Sequence, residues 1–435
     1  MPAMLILDSS QNDFQTRLLA FCGEAPDQAS VRDSVADVIA AVAADGDRAV
    51  ADYTRRFDQA VIKPGEARVD LRELQEAARL LPAAQRRAIK ASIGCVSAFH
   101  RRTKPKNWRD RNPHGAMVGE AFYPIRRVGL YIPGGQVPLV STVIMTAIPA
   151  RLAGVTSIAV CTPPQADGSI DPRMLAALHL CGITEVYRIG GIQAMAALAL
   201  GTASLPAVDK VFGPGNAYVM EAKRQLFGRV GVDLLPGPSE VMIIADGQAK
   251  PEWIAADLLA QAEHGTGKEK IYLVTTSKPL IARVLKACER QAQSLSHAAK
   301  VQAVLAKGGV AIRVKNLAAA ATVANAVAPE HLELHVEYRA LNGLVKTITT
   351  AGAILMGSHT PTVLGDFTAG PSHTLPTNRT GRFFSGLQLT DFMRRTSLVR
   401  YDPKSLQAAA PVVAAFSAME QLDAHGRSLT LRLND

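Results

Sequence analysis

From Arg127 onward the chain keeps one rhythm. RVGLYIPGG reads as a strand closed by glycines, STVIMTAIPARLAG as a helix, SIAVCTP as a strand, RMLAALHLCG as a helix and TEVYRIGG as a strand; IQAMAALALG, DKVFGPG, AYVMEAKRQLFG and VGVDLLPG continue the alternation. Strands separated by helices of this length form parallel βαβ units whose sheets are covered on both faces. A second series follows in VMIIAD, PEWIAADLLAQAEHG, KIYLVTTS, PLIARVLKACERQAQSL, GVAIRV and GAILMGS. The expected fold is therefore α/β, with two Rossmann-like parallel-sheet domains lacking GxGxxG. The first hundred or so residues carry apolar positions at helical spacing and predict a helical N-terminal segment. At the other end, PVVAAFSAMEQLDAHGRSLTLRL predicts one amphipathic terminal helix.

Bulk properties narrow the function classes. A chain of 435 residues with 48% hydrophobic content can bury more than one core. Cys22, Cys95, Cys161, Cys181 and Cys288 are scattered and never spaced as CxxC, which argues against a disulfide framework or a thiolate zinc site and for a reducing compartment. The start, MPAMLILDSSQNDFQ, has no basic segment followed by an apolar run, and VPLVSTVIMTAIPA, interrupted by Pro138 and Pro149, reads as a buried helix rather than a membrane span. A cytoplasmic address without membrane association is expected. Net charge is +10, with a dense basic tract, HRRTKPKNWRDRNPHG, at 100–115. Trp108 within it could stack on a base, but no nucleic-acid motif accompanies it. The tract reads better as a solvated loop and helix end, or as a surface that draws in anionic cofactors.

Several segments could carry chemistry. The glycine-rich turns IPGGQVPL, GGIQAMAA and FGPGNAY each follow a strand and open a helix, so their backbone amides suit an anion, and three together predict a ligand crevice. Gln261 and His264 sit three apart on one helix face, which suits a metal pair or a simple helix-end charge partner. GDFTAGPSH places Asp366 and His373 in a loop rich in glycine and proline, a functional loop or an ordinary turn. In APEHLELH, Pro329 ends a helix and HLELHVE alternates like a half-buried strand, so Glu330 and His331 read, taken alone, as junction residues. Glu420 and His425 are five apart and share no helix face. They could meet one site only if the helix broke between them or the site lay at its end.

Taken in order, RVGLYIPGG, GGIQAMAALALGT, FGPGNAYV, VGVDLLPGPSE, ADLLAQAEHG, APEHLEL, GDFTAGPSHTLPT and AHGRSLTLRL resemble the histidinol dehydrogenases, from about residue 30 to the C-terminus. The resemblance implies oxidation of L-histidinol to L-histidine with two NAD and a bound zinc. It implies zinc ligands Gln261, His264, Asp366 and His425, an acid–base pair Glu330 and His331, and nucleotide contacts at Tyr131, Gln193 and Asn216. Ser239, His373 and Glu420 would contact substrate, together with His331 and the zinc ligands. It further implies a homodimer whose tails enter the partner's site, explaining the remote Glu420 and His425. The expected boundaries are an N-terminal arm at 1–25, a first α/β domain from 26–130 with 240–387, a second at 131–239, and a partner-swapped tail at 388–435.

Three departures bear on the substrate rather than on the fold. Thr362 stands where the resemblance calls for glutamate, Asn378 where it calls for glycine, and the chain is basic where many relatives are acidic. They leave two alternatives: a paralogue oxidising another small alcohol or a sulfonated diol, and, in another class, a nucleic-acid-binding protein using the tract 100–115.

Overall fold

Parallel strands need crossovers, and each crossover here is a helix, so two sheets result. The computed structural model describes residues 4–23, 29–134, 138–264 and 267–433. The larger sheet has six parallel strands in the order Leu5–Asp8, Gly309–Arg313, Lys270–Thr275, Glu240–Ala245, His331–His335, Ala353–Met356. The smaller has five, in the order Glu185–Arg188, Ser157–Thr162, Arg127–Tyr131, Lys210–Phe212, Gly231–Val232. Leaving aside the N-terminal edge strand, each sheet runs 3-2-1-4-5 in its own chain order. Residues 233–239 join the carboxyl end of the smaller sheet's last strand to the amino end of Glu240–Ala245. The carboxyl edge of one sheet and the amino edge of the other thus meet on one short connection.

Three expectations about organisation are corrected. Residues 5–8 are not an arm but a strand, and Phe14 and Leu18 behind them are buried against Ile312 and Val310 of the same sheet's core. The helices at 29–102 cover the smaller sheet, and their contact with 240–387 includes Gly370, which lies against Cys95 and Phe99. Val35, Val38 and Val42 join Ala159, Cys161 and Tyr187 on one face, and Leu74, Ile89 and Val96 join Val128, Leu130 and Val160 on the other. The cause is legible in the crossovers: VSTVIMTAIPARLA and GIQAMAALAL are apolar all round, and such helices need a second covering layer. The terminal helix is two helices, Pro403–Met419 and Asp423–Leu433, broken where Gln421 takes φ 55°.

The tail is anchored before it departs. Met393–Arg400 pairs antiparallel with Met117–Pro124, which pairs with Trp108–Arg111. Just upstream, Phe392 is fully buried and stacks on Phe212 at 4.0 Å between ring centroids. The basic tract therefore forms a helix end and an edge strand, and Trp108 donates its indole N–H to Glu120 at 2.9 Å. Arg395 donates to the same carboxylate at 2.7 Å. Among the described residues no helix is long and apolar enough to cross a membrane, and the run expected to be a buried helix is one, Val140–Ala153.

Candidate active site

The stretch APEHLELH changes character once folded. The helix Leu317–Val327 ends as Ala328 adopts φ 49° and donates its N–H to Ala324 O at 2.7 Å, and the chain then enters the strand His331–His335. That strand lies between Glu240–Ala245 and Ala353–Met356 and is buried on both faces, not half-buried. Its polar face, His331, Glu333 and His335, is turned towards protein rather than water.

Glu330 is 6% exposed, and its carboxylate accepts the Glu240 N–H at 2.8 Å. Burial, reinforced by the charges of Glu240 and Asp366, holds its carboxyl well above the usual range. Burial also pushes Glu240 up, to about 7, against a hydrogen bond from the Asn378 N–H. His331 Nδ1 lies 3.3 Å from Glu240 O. A carbonyl can only accept, so Nδ1 carries the proton and Nε2 is left as a bare acceptor, 3.8 Å from Asp366 Oδ1. Burial lowers the His331 pKa despite the opposing charge of Asp366, which keeps the ring neutral and able to take a proton.

Asp366 does not lie in a loop: it sits in the short helix Thr362–Phe367, and His373 Nδ1 approaches its Oδ1 at 3.5 Å. Burial would raise its pKa, but the His373 hydrogen bond and the charges of His331, His373 and His264 bring it below the usual carboxylate range. Gln261 and His264 close the helix Pro251–Ala262 as its spacing predicts, with Gln261 buried and its Nε2 without a hydrogen-bond partner among the described residues. His264 Nδ1 is 3.2 Å from Gln261 O, so that nitrogen carries the proton and Nε2 is free. The donors fit a zinc ion: an amide oxygen, a free imidazole nitrogen and a charged carboxylate, with no thiolate. Gly265, the last residue of AEHG, falls outside the described residues, as do 135–137 of IPGGQVPL.

Of the other expected site residues, Ser239 adjoins this cluster, while Glu420 and His425 lie apart from it. Ser239 directly precedes Glu240 on the connection between the sheets. Glu420 and His425 flank the break in the tail, both exposed, and among the described residues neither forms a hydrogen bond or ion pair with the Glu330–His331 cluster. Thr362 opens the helix that carries Asp366 and donates both its N–H and its hydroxyl to Glu333 at 2.7 Å. Asn378 adopts φ 50°, a left-handed conformation that glycine takes freely and asparagine tolerates. Asp257, Glu333 and His335 were missed in the sequence; one potential ligand atom from each falls within 4.8 Å of the others.

A cavity of about 900 Å³ opens elsewhere, at the carboxyl ends of the smaller sheet's strands, lined by Tyr131, Gly191, Asn216 and Asp58 among others. This is where the glycine-rich turns predict a crevice. Asn216 caps the helix Ala217–Leu226 by accepting the N–H groups of Tyr218 and Val219, and Tyr131 OH accepts the Gly191 N–H at 3.1 Å. Gln193 does not line the cavity: it is fully buried, and its Nε2 donates to Asp58 at 3.1 Å. The turn at Gly213 (φ 117°) is clamped by a buried ion pair, Lys223–Asp233 at 2.6 Å, with Lys223 donating to Gly213 O and Asp233 accepting its N–H. A Cβ at Gly213 would meet Tyr131 O at 2.0 Å, so the two turns touch.

Burial raises Asp58 to about 6, against the Gln193 hydrogen bond. Its folded pKa lies above its unfolded value, so its contribution is favourable in acid and is lost as pH rises through about 6. Asp58→Asn, which keeps an acceptor for Gln193, is expected to melt higher than the parent at pH 7.5, with the gain vanishing near pH 4. Melting curves at the two pH values check it; an equal gain at both would mean that the charge is not the cause.

Two parallel sheets, a crevice at one carboxyl edge and a buried carboxylate–imidazole pair beside metal-type donors define an α/β protein with the groups for acid–base chemistry. The histidinol dehydrogenase family pattern matches residues 23–433. A histidinol dehydrogenase of Bradyrhizobium diazoefficiens is 44% identical over 98% of this chain and 99% of its own. One from Syntrophotalea carbinolica is 40% identical over 99% of this chain and 100% of its own. The crystal structure of histidinol dehydrogenase from Elizabethkingia anophelis superposes with a TM-score of 0.94 at 33% identity, covering 99% of this chain and 98% of that one. The chain belongs to the histidinol dehydrogenase family.

Proposed function

We propose that this protein oxidises L-histidinol through the aldehyde to L-histidine, with zinc held by Gln261, His264, Asp366 and a partner subunit's copy of His425, and with NAD in the crevice at Tyr131 and Asn216. The observation that carries this reading is the arrangement at the amino edge of the larger sheet: His331 with Nδ1 on the Glu240 carbonyl and Nε2 bare, the buried Glu330 carboxyl on the Glu240 N–H, and Asp366 3.8 Å from that Nε2. The chemistry supplied by zinc when bound is polarisation of the alcohol oxygen, and that supplied by NAD is hydride acceptance. His331 Nε2 takes the hydroxyl proton as the C–H bond breaks. Glu330 takes a proton from the water that adds to the aldehyde, giving the anion of the hydrate, from which the second hydride leaves to give the acid. Ser239, on the connection between the sheets, Glu420 of the partner and His373 beside Asp366 complete the substrate's surroundings.

Other features support the finer points of the reading. The strand order 3-2-1-4-5 in both sheets suits Rossmann-like domains, with the helices at 29–102 assigned to the smaller one. All five cysteines are unpaired, as expected in the cytoplasm. Exposed apolar side chains on the tail, Val412, Phe416, Met419 and Leu431, suit a homodimer interface. The paralogue reading rests on Thr362, Asn378 and the basic net charge; Glu333 holds Thr362 from the buried side. Incubating the zinc-loaded protein with limiting L-histidinol and excess NAD is expected to yield two NADH per substrate and histidine as product. Turnover of an anionic diol at a far higher specificity constant would decide for the paralogue.

A further inference from the structure

The triad Asp257, Glu333 and His335 sits behind the site, and every oxygen and nitrogen that faces its centre is committed. Glu333 is fully buried; Oε1 accepts both Thr362 donors at 2.7 Å, and Oε2 lies 3.0 Å from His335 Nε2, which is 3.6 Å from Asp257 Oδ2. His335 is 1% exposed, and its buried Nδ1 has no partner among the described residues. A cation on Nε2 would force the proton onto Nδ1, where nothing accepts it, whereas ligand histidines donate that proton to an outer partner. A ring whose Nε2–H is given to Glu333 avoids this. Burial, then the charge of Glu333 and a hydrogen bond to it, raises Asp257 to about 8.

The triad's position gives it a use. Asp257 lies one helical turn before Gln261 on the helix Pro251–Ala262. Glu333 and His335 share a strand face with His331. Thr362 is the first residue of the helix Thr362–Phe367, one turn before Asp366. That helix has Pro361 at its N-cap and no side-chain cap of its own, so Glu333 takes the place of the missing cap. Each of the three elements that carry a metal donor or the catalytic histidine is thus fastened to one buried carboxylate.

We propose that Glu333 is a positioning residue for the zinc donors, setting Asp366 against Gln261 and His264 through Thr362, His335 and Asp257, and that the triad does not itself bind metal. The proposal rests on the zinc reading above. It is tested by stripping the full-length protein of metal and measuring zinc stoichiometry and affinity by competition with a chromophoric chelator, with far-ultraviolet spectra and melting curves of the metal-free forms alongside. The wild type is expected to take one zinc per chain. Glu333→Ala is expected to lose affinity by roughly 10- to 100-fold, as removal of an outer-shell partner does, while Glu333→Gln, which keeps an acceptor for Thr362, retains most of it. Thr362→Val, a change at a partly exposed residue, should give a smaller loss in the same direction without endangering the fold. Equal affinity in the wild type, Glu333→Ala and Thr362→Val would overturn the positioning role while leaving the zinc reading intact. Two zinc per chain in the wild type and one in Glu333→Ala would overturn it differently, by making the triad a ligand set. A wild type that takes no zinc would sink the reading beneath it, and the positioning role too.

Discussion

Glu330→Gln is expected to leave the oxidation of alcohol to aldehyde largely intact and to slow the oxidation of aldehyde to acid by roughly 10³-fold, within the range that a general base contributes. The asymmetry follows from the two environments. His331 is kept neutral by burial, with its proton pinned on Nδ1 by the Glu240 carbonyl, so one nitrogen stays ready to accept in both half-reactions. Only the second half-reaction needs water, and water needs a second base. A carboxyl that burial holds above its usual range is a stronger base than an exposed one. The same burial makes a stability control. The folded pKa of Glu330 exceeds its unfolded value, so its contribution is favourable in acid and is lost as pH rises above the ordinary carboxylate range. The metal-free glutamine variant should therefore melt higher than the parent at neutral pH while being catalytically crippled. Reduction of added aldehyde by NADH reports the first half-reaction in reverse, and oxidation of added aldehyde reports the second. Equal loss in both, with zinc and melting behaviour in order, would return Glu330 to a junction role.

Legibility in the sequence followed how local each cause was. The strand–helix rhythm and the crevice turns are written in spacing and glycine placement, and both sheets emerged where that rhythm put them. Gln261 and His264 could be placed together because helical spacing puts them at one helix end. Assigning them zinc, and choosing Glu330 and His331 over an ordinary junction, depended on resemblance, because the partners that give them chemistry lie far along the chain at Glu240 and Asp366. Asp366 was placed in a loop because a short helix cut off by Thr368 and Gly370 has too little periodicity to detect. The polar face of HLELH was taken for a solvent face. Alternation shows which residues share a side, not what covers it, and here the cover is protein that includes Asp257. Asp58 offered no signal at all, since its role arises from Gln193, more than a hundred residues away.

The tail supplies the second large effect, and its geometry sets the design. Glu420 ends one helix, Gln421 turns the chain at φ 55°, and His425 falls in the first turn of the next helix, so the break brings to one corner two residues that a continuous helix would separate. That corner is exposed, and the two tail helices leave Phe416 at 53% and Met419 at 68% exposure. A hairpin that leaves so much apolar surface uncovered suits an interface with another chain, as the reading proposed above requires. If the tip completes the partner's site, a His425→Asn homodimer and a Glu330→Gln homodimer are each defective in the full reaction from alcohol to acid, but in different halves of the same composite site. Mixing them under conditions that exchange subunits gives heterodimers in which one site carries both lesions and the other carries neither. With random exchange about a quarter of all sites are then intact, from the arithmetic of a two-fold dimer, so activity should rise from near nothing to about a quarter of the parent level, judged by histidine formed from histidinol. Heterodimers that form, as shown by native mass spectrometry with one chain tagged, and yet remain inactive would show that each tail serves its own chain.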